Sequence, residues 1–523
     1  MSEPIRKNLK IWIVLYFIAF TAFASLSLLP NTAIPGELNY VALLALFVLP
    51  VLIALKYNLP KWVLSIFVIA TPLIVMLAVI GPNEAGFYGY DPNIHTREAF
   101  RLFQEGWDSI ASWLGHWPAL PAMVSLTVEL FALDMQSVGK YLPLVVAAVP
   151  FFLFLGLARV IDDTAAFFVG MGAASARTLL MFQVKFIEEP FAMVLLFYSI
   201  AAIFVVADRR KQTILVVIAM VSLTLMHHYI AAVGAVVFFF WGIIAQLSLP
   251  WRFRTFSTRY VPLPIYVIVA VVAMTFIFMY PYDSFTGFVF GNLISGIESA
   301  SPAGGSSGLS GFAQYLISAS FVVYFVMSII TAAGVLSKDK IADWELSWAV
   351  LSGIFAVGFI GTTIAGKIIP LSAGRFLGIL IPLLVSITVT MLVLKRVSIP
   401  RERIVAMILV LALIITQLAA VPIYRIDTNP SQMVHPEAHY TSSEYATTDW
   451  IKEHGEGQLI VDEQPHLWHA NNYRNVTTHA ESSDCAGYSV ERDNYLGIDQ
   501  WTRPPDHSVL YSAEGITISQ CLQ

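Results

Sequence analysis

The chain has 523 residues, of which 57% are hydrophobic and 12% charged, with a net charge of −5 and a mean hydropathy of +0.71. A soluble domain carries roughly a quarter charged residues, so this balance excludes a single water-soluble globule. Nucleic acid is excluded as a partner too, because the cations sit in short segments beside apolar runs and form no basic patch.

The apolar residues come mostly in runs of about 18 to 22, the length that crosses a hydrocarbon layer of roughly 30 Å as helix. In chain order the runs fall at about 11–29, 38–55, 62–80, 118–134, 140–158, 164–184, 190–207, 213–227, 229–249, 261–280, 312–336, 345–365, 372–394 and 404–423. The first follows Arg6, Lys7 and Lys10 and is longer than the apolar part of a cleaved signal, so it is expected to be retained as an anchor. Lys and Arg beside helix ends prefer the cytoplasm, and this fixes parity. If 118–134 does not cross, then Lys56 and Lys61, Arg159, the Arg209–Lys211 run, Arg252, Arg254 and Arg259, Lys338 and Lys340, and the cations from Lys395 to Arg403 share one side with the N-terminus. The sequence therefore predicts an α-helical polytopic membrane protein with about thirteen spans, its N-terminus cytoplasmic. Segment 118–134, entered through Pro118 and Pro121, is expected to lie at the outer surface.

Residues 1–423 then form a transmembrane domain with two long outer segments, 81–138 and 281–311. The second ends in the Gly- and Ser-rich stretch Ser301–Gly311, which reads as a linker, with a substrate lid as the functional alternative. Residues 424–523 hold five Lys and Arg against fifteen Asp and Glu and no long apolar run. They are expected to form a small α/β domain outside the cytoplasm, with helical spacing over Tyr440–Lys452 and a strand at Gln458–Val461. The only cysteines, Cys485 and Cys521, both fall there, and an oxidising compartment would let them pair. Asn475-Val476-Thr477 is a glycosylation sequon, a short signal that recurs by chance.

The residues able to carry chemistry lie in the expected outer segments. The first reads Gly89-Tyr90-Asp91-Pro92-Asn93-Ile94-His95, followed further on by His116-Trp117-Pro118-Ala119-Leu120. Asp91 can take a proton from an attacking hydroxyl, but Asp followed by Pro is also how a helix starts, and the two roles are compatible. Glu188-Glu189-Pro190 reads as the outer end of the 164–184 run, where two carboxylates serve either as solvated end charges or, with Asp91, as oxygen ligands for a sugar or for Mg or Mn. Arg177, within that run, is an ionisable group at membrane depth, whereas Lys185 can snorkel. His227 and His228 sit at a turn between two runs; adjacent positions do not share a helix face, so paired metal ligation is disfavoured and capping is the plain reading. Lys367 and Arg375 flank the outer end of a late hairpin against the orientation rule, so a local anion such as a lipid phosphate is expected to hold them.

In order and spacing these features resemble the GT-C-fold glycosyltransferases, and the protein O-mannosyltransferase superfamily in particular. The resemblance rests on Asp91 in the first large outer loop, on His116-Trp117-Pro118-Ala119-Leu120 against that superfamily's His-Pro-Pro-Leu, on Glu188-Glu189-Pro190, and on Arg375-Phe376 before Pro382. It spans roughly residues 62–400 and implies transfer of a sugar from a polyprenyl (dolichyl-type) phosphate to a glycan, lipid or protein acceptor at the outer face of the cell membrane. In that frame Asp91 is the base, Glu188 and Glu189 orient acceptor or a metal shared by Asp91 and Glu189, and Arg375 and Lys367 hold the donor phosphate with Arg177 as helper. His95, His116, His227 and His228 are further polar candidates on the acceptor side. Two departures stand out. The family usually has one span before its first outer loop and this chain has three, and the Trp-Trp-Asp-Tyr-Gly signature of oligosaccharyltransferases is absent, which favours transfer of a single sugar. The rivals are a secondary transporter or flippase for a lipid-linked sugar, against which stands the lack of an internal repeat, and a catalytically idle homologue.

Overall fold

The computed structural model describes residues 3–28, 36–80, 99, 102, 119–133, 135–176, 179–180, 188–246, 311–337, 341–364, 373–397, 399–418, 458–461, 476–478, 487–492, 507–513 and 516–521. The helices are α1 Glu3–Leu28, α2 Gly36–Lys56, α3 Lys61–Ile80, α4 Ala119–Phe131 and α5 Met135–Tyr141. A 3₁₀ segment, Leu142–Ala147, leads into α6 Ala148–Leu157, followed by α7 Asp163–Ala174, α8 Glu188–Val205, α9 Arg209–Met226 and α10 His228–Gln246. The series closes with α11 Gly311–Ser337, α12 Asp343–Ile364, α13 Ala373–Val393 and α14 Glu402–Leu418. Among the described residues, four helical stretches are long and apolar enough to cross a membrane: Ser137–Leu157, Glu188–Val205, Ser318–Leu336 and Asp343–Ile360. A helix satisfies its own backbone groups, which is why apolar runs of this length adopt it in hydrocarbon. At 13 residues α4 is about 20 Å long, short of a roughly 30 Å core.

Ion pairs draw the links between helices to one end of the bundle. Lys61, where α3 begins, lies 3.7 Å from Asp163 at the start of α7. Asp162 caps α7 by accepting the Ala165 N–H at 3.0 Å, and its other oxygen lies 3.3 Å from Arg403 in α14. Arg396, just past α13, reaches Glu345 in α12 at 3.2 Å. Starts and ends of alternate helices thus share this end, called here the linked end. The basic segments around Lys61, Arg159 and Lys395 to Arg403 lie together at this end.

Packing follows from small residues at close approaches. A Cβ on Gly170 of α7 would sit 3.0 Å from Val68 and 3.3 Å from Phe154, and one on Gly172 would sit 3.0 Å from Val385. Glycine there brings α7 against α3, α6 and α13 together. Between helices in lipid there is no water to expel, so such contact and interhelical hydrogen bonds hold the bundle. Tyr16 and Thr71 share a hydrogen bond at 3.2 Å, Thr331 and Thr388 one at 3.1 Å, and Gln417 donates to the Tyr324 hydroxyl at 2.5 Å. Near the linked end, Phe204, Trp241, Trp344 and Trp348 form an aromatic cluster with ring centroids 5.4–6.0 Å apart, edge-to-face except for the tilted Phe204–Trp241 pair. Each such pair contributes about 0.5–1.5 kcal/mol beyond its buried area.

The C-terminal strands are β1 Gln458–Val461, β2 Val476–Thr478, β3 Gly487–Arg492, β4 His507–Ala513 and β5 Ile516–Cys521. They form one sheet in the order β2-β1-β3-β5-β4. Strand β1 pairs in parallel with β2 and β3, and the last three strands pair antiparallel. Cys521 ends β5 opposite His507. Cys485 and the expected helix over 440–452 lie outside the described residues, as do 81–98, 247–310 and all of 419–457.

Three expectations change. The 164–184 run is not one uninterrupted helix: α7 ends at Ala174, where the Ser175 hydroxyl donates to the Gly172 carbonyl at 2.9 Å and two glycines weaken the last turns. The run at 140–158 contains the 3₁₀ segment, entered through Pro143, which has no N–H to give to an α-helical ladder. Finally, Glu188 and Glu189 open a helix instead of closing one.

Candidate active site

The end opposite the linked one gathers the described residues with chemistry. Helix α8 runs toward the linked end, because a Cβ on Gly156, near the end of α6, would sit 3.3 Å from Phe204 and 3.4 Å from Ala201. The start of α8, with Glu188 and Glu189, is therefore at the far end. Helix α9 leaves the linked end right after α8, so its last residue Met226 and the junction His227 are at the far end too. Helix α13 finishes at the linked end beside Arg396, which puts its first turn, with Arg375 as the third residue, at the far end.

Glu188 and Glu189 are 8% and 5% exposed, so the reading of solvated end charges does not hold. Both occupy the first turn of α8 with Pro190 behind them. Proline fits there because first-turn N–H groups have no helical partner, and the positive helix start favours carboxylates. Neither is without an interaction. Successive helix positions point about 100° apart, so the two carboxylates face different directions. A division of labour follows: one can face a ligand while the other meets the protein.

His227 caps α10. Its backbone is extended, at φ −160° and ψ 122°, its N–H donates to the Leu223 carbonyl at 3.0 Å, and its own carbonyl accepts from Ala231 at 3.0 Å. The ring Nδ1 accepts the Ile230 N–H at 3.4 Å, which leaves Nε2 as the nitrogen that can donate. Capping is thus the observed role of His227. His228 begins α10 itself. Gly234 lets the two helices of this hairpin close, since a Cβ there would sit 3.1 Å from Leu223 and Met220.

Glu188, Glu189 and His227 are brought to one end with the backbone of Arg375. Asp91, His95, His116, Arg177 and Lys367 lie outside the described residues. Among the described residues no three His, Cys, Asp or Glu side chains are placed to hold a metal ion. A site for Mg or Mn through Glu189 would therefore need Asp91 or another partner beyond them. Ser125 of α4 donates to the Ala99 carbonyl at 2.8 Å and ties Ala99 to α4. The sequence reading missed the buried Glu345–Arg396 pair at the linked end. A signal was present: Glu345 stands three residues after Ala342, the capping-box spacing, and accepts the Ala342 N–H at 2.8 Å.

No family model matches the chain, and no curated relative does. Several solved structures are similar to it. The apo oligosaccharyltransferase of Archaeoglobus fulgidus aligns at 13% identity with a TM-score of 0.48, over 79% of this chain and 64% of that one. The chain thus spans less than two thirds of that enzyme's length. ArnT of Cupriavidus metallidurans, bound to undecaprenyl phosphate, aligns at 14% identity with a TM-score of 0.46, over 88% of this chain and 98% of that one. Both are membrane glycosyltransferases of the GT-C fold. At these identities and scores the likeness says nothing of family, role, substrate or partner.

Proposed function

We propose that the chain is a membrane glycosyltransferase that moves a single sugar from a polyprenyl phosphate of the dolichyl type to an acceptor hydroxyl at the outer face, with inversion. The supporting observation is the buried acidic pair Glu188–Glu189, which opens α8 at the end of the bundle shared by the first turn of α13. In this reading Asp91 takes the proton of the acceptor hydroxyl as its oxygen attacks the anomeric carbon. The bond from that carbon to the phosphate oxygen breaks, and the polyprenyl phosphate leaves with the electron pair. Arg375 and Lys367, assisted by Arg177, neutralise the phosphate, electrostatic work suited to preorganised cations away from water. One of Glu188 and Glu189 orients the acceptor.

Purified protein given a panel of radiolabelled polyprenyl-phosphate sugars is expected to transfer label from one of them to acceptor. Arg375→Lys keeps the charge but loses the planar fork, so donor affinity should fall about tenfold, and Arg375→Ala should lower it about a hundredfold. Movement of a lipid-linked sugar across proteoliposomes with no transfer from any donor would replace this reading by a flippase. Unchanged donor affinity in both Arg375 variants would take that residue out of the site.

The orientation is part of the proposal: thirteen spans, with the linked end and N-terminus cytoplasmic and the 424–523 domain outside. Single cysteines at Ser109, Ser306 and Ser431 should react with an impermeant thiol reagent in intact cells, and one at Lys211 should not. Lys211 is exposed at the linked end, whereas its neighbour Gln212 is buried and donates to the Ile203 carbonyl at 2.6 Å. Labelling at Lys211 without labelling at Ser306 would reverse the orientation.

A further inference from the structure

At the linked end some cations are neutralised and others are not. Lys61, Lys395, Arg396 and Arg403 each face a carboxylate at 3.2–3.9 Å. Arg159, between α6 and α7, and Arg209, Arg210 and Lys211, in the first turn of α9, are exposed and have no ion-pair partner among the described residues. The acid beside them, Asp208, uses its carboxylate to accept the Arg210 and Lys211 backbone N–H groups at 2.9 and 3.2 Å. The two segments are neighbours, because Gly156 approaches Phe204 and Ala201 while Arg159 donates its N–H to the Gly156 carbonyl at 3.2 Å. Cations in a helix's first turn also oppose the positive helix start, so this grouping is unfavourable unless an anion offsets it.

The depth of the cluster says which anion. Over the next three turns of α9, Ile214, Ile218 and Val221 are exposed apolar side chains, the kind that face hydrocarbon. The cations therefore stand where hydrocarbon gives way to headgroups, and arginine forks match phosphate oxygens two at a time. We infer that Arg159, Arg209, Arg210 and Lys211 form a binding site for the phosphodiester headgroups of anionic phospholipids in the leaflet facing the linked end. The site lies at the opposite end from Glu188 and Glu189 and does not depend on the proposed transferase reaction. Its effect is to fix the depth at which this side of the bundle sits.

Native mass spectrometry of the full chain with phosphatidylglycerol or phosphatidylcholine of matched acyl chains tests the site. The unmodified protein should retain phosphatidylglycerol about tenfold better. That preference should vanish in the Arg159→Gln/Arg209→Gln/Arg210→Gln/Lys211→Gln variant and largely vanish in Arg209→Gln/Arg210→Gln, which covers misfolding of the fourfold change. It should persist in Lys395→Gln/Arg401→Gln, which removes two exposed cations from the same end. Equal retention of both lipids by the unmodified protein would overturn the site, as would a preference that survives either cluster variant. An equal loss in Lys395→Gln/Arg401→Gln would reduce the effect to the net charge of that end. Displacement of bound phosphatidylglycerol by millimolar inorganic phosphate would reassign the cluster to a free anion.

Discussion

Asp91→Asn is expected to lower turnover by about a hundredfold to ten-thousandfold, the range that a positioned general base supplies. The substitution separates two roles that the sequence superimposes. Asp91 precedes Pro92, so the residue can start a helix as well as accept a proton. Asparagine caps a helix nearly as well as aspartate but cannot take the proton, so folding should be retained while transfer fails. The measurement pairs transfer from the active polyprenyl-phosphate sugar with a thermal melt of the same preparation. Full activity in the Asn variant would leave Asp91 with a cap alone, and the base would have to be sought at Glu188 or Glu189. Those two are buried at the start of α8, so a Gln at whichever faces the acceptor should be the more damaging of the pair.

Arg396→Ala should be the most destabilising single change among the described residues, by about 3–5 kcal/mol, because it leaves a buried carboxylate without its counter-charge. The Glu345 side chain is 1% exposed and lies 3.2 and 3.4 Å from the Arg396 Nη2 through its two oxygens. It also accepts the Ala342 N–H, so the same carboxylate caps α12 and ties it to the α13–α14 link. Removing both charges together, as Glu345→Gln with Arg396→Met, should cost far less, since two desolvated ions are replaced by groups that tolerate burial. Thermal unfolding in detergent gives the comparison. An Arg396→Ala protein that melts with the parent would mean that water or another group already compensates Glu345.

The helices themselves were legible in the residues. The apolar runs at 345–365 and 372–394 correspond to α12 Asp343–Ile364 and α13 Ala373–Val393 within a residue or two, because run length is set by bilayer thickness and is written along one dimension. The sharing of one end by the basic links was legible for a similar reason: charge beside an apolar run follows a rule about single positions. Where a run is interrupted was not legible. Residues 164–184 are mostly apolar, and their order does not mark Ala174 as the end of a helix, whereas in the structure α7 stops there with the Ser175 hydroxyl bonded to the Gly172 carbonyl.

By itself the sequence determined a protein of apolar helices and, within a few residues, the place of described helices such as α12 and α13. Tertiary structure alone decided that Glu188 and Glu189 are buried at a helix start, that His227 is spent on a cap, and that Arg396 is neutralised while Arg159 and Arg209–Lys211 are not. The physical reason is common to all three. Burial and pairing depend on which helices touch, and helix contacts in lipid are chosen by the fit of surfaces far apart in sequence, with no hydrophobic pattern to announce them.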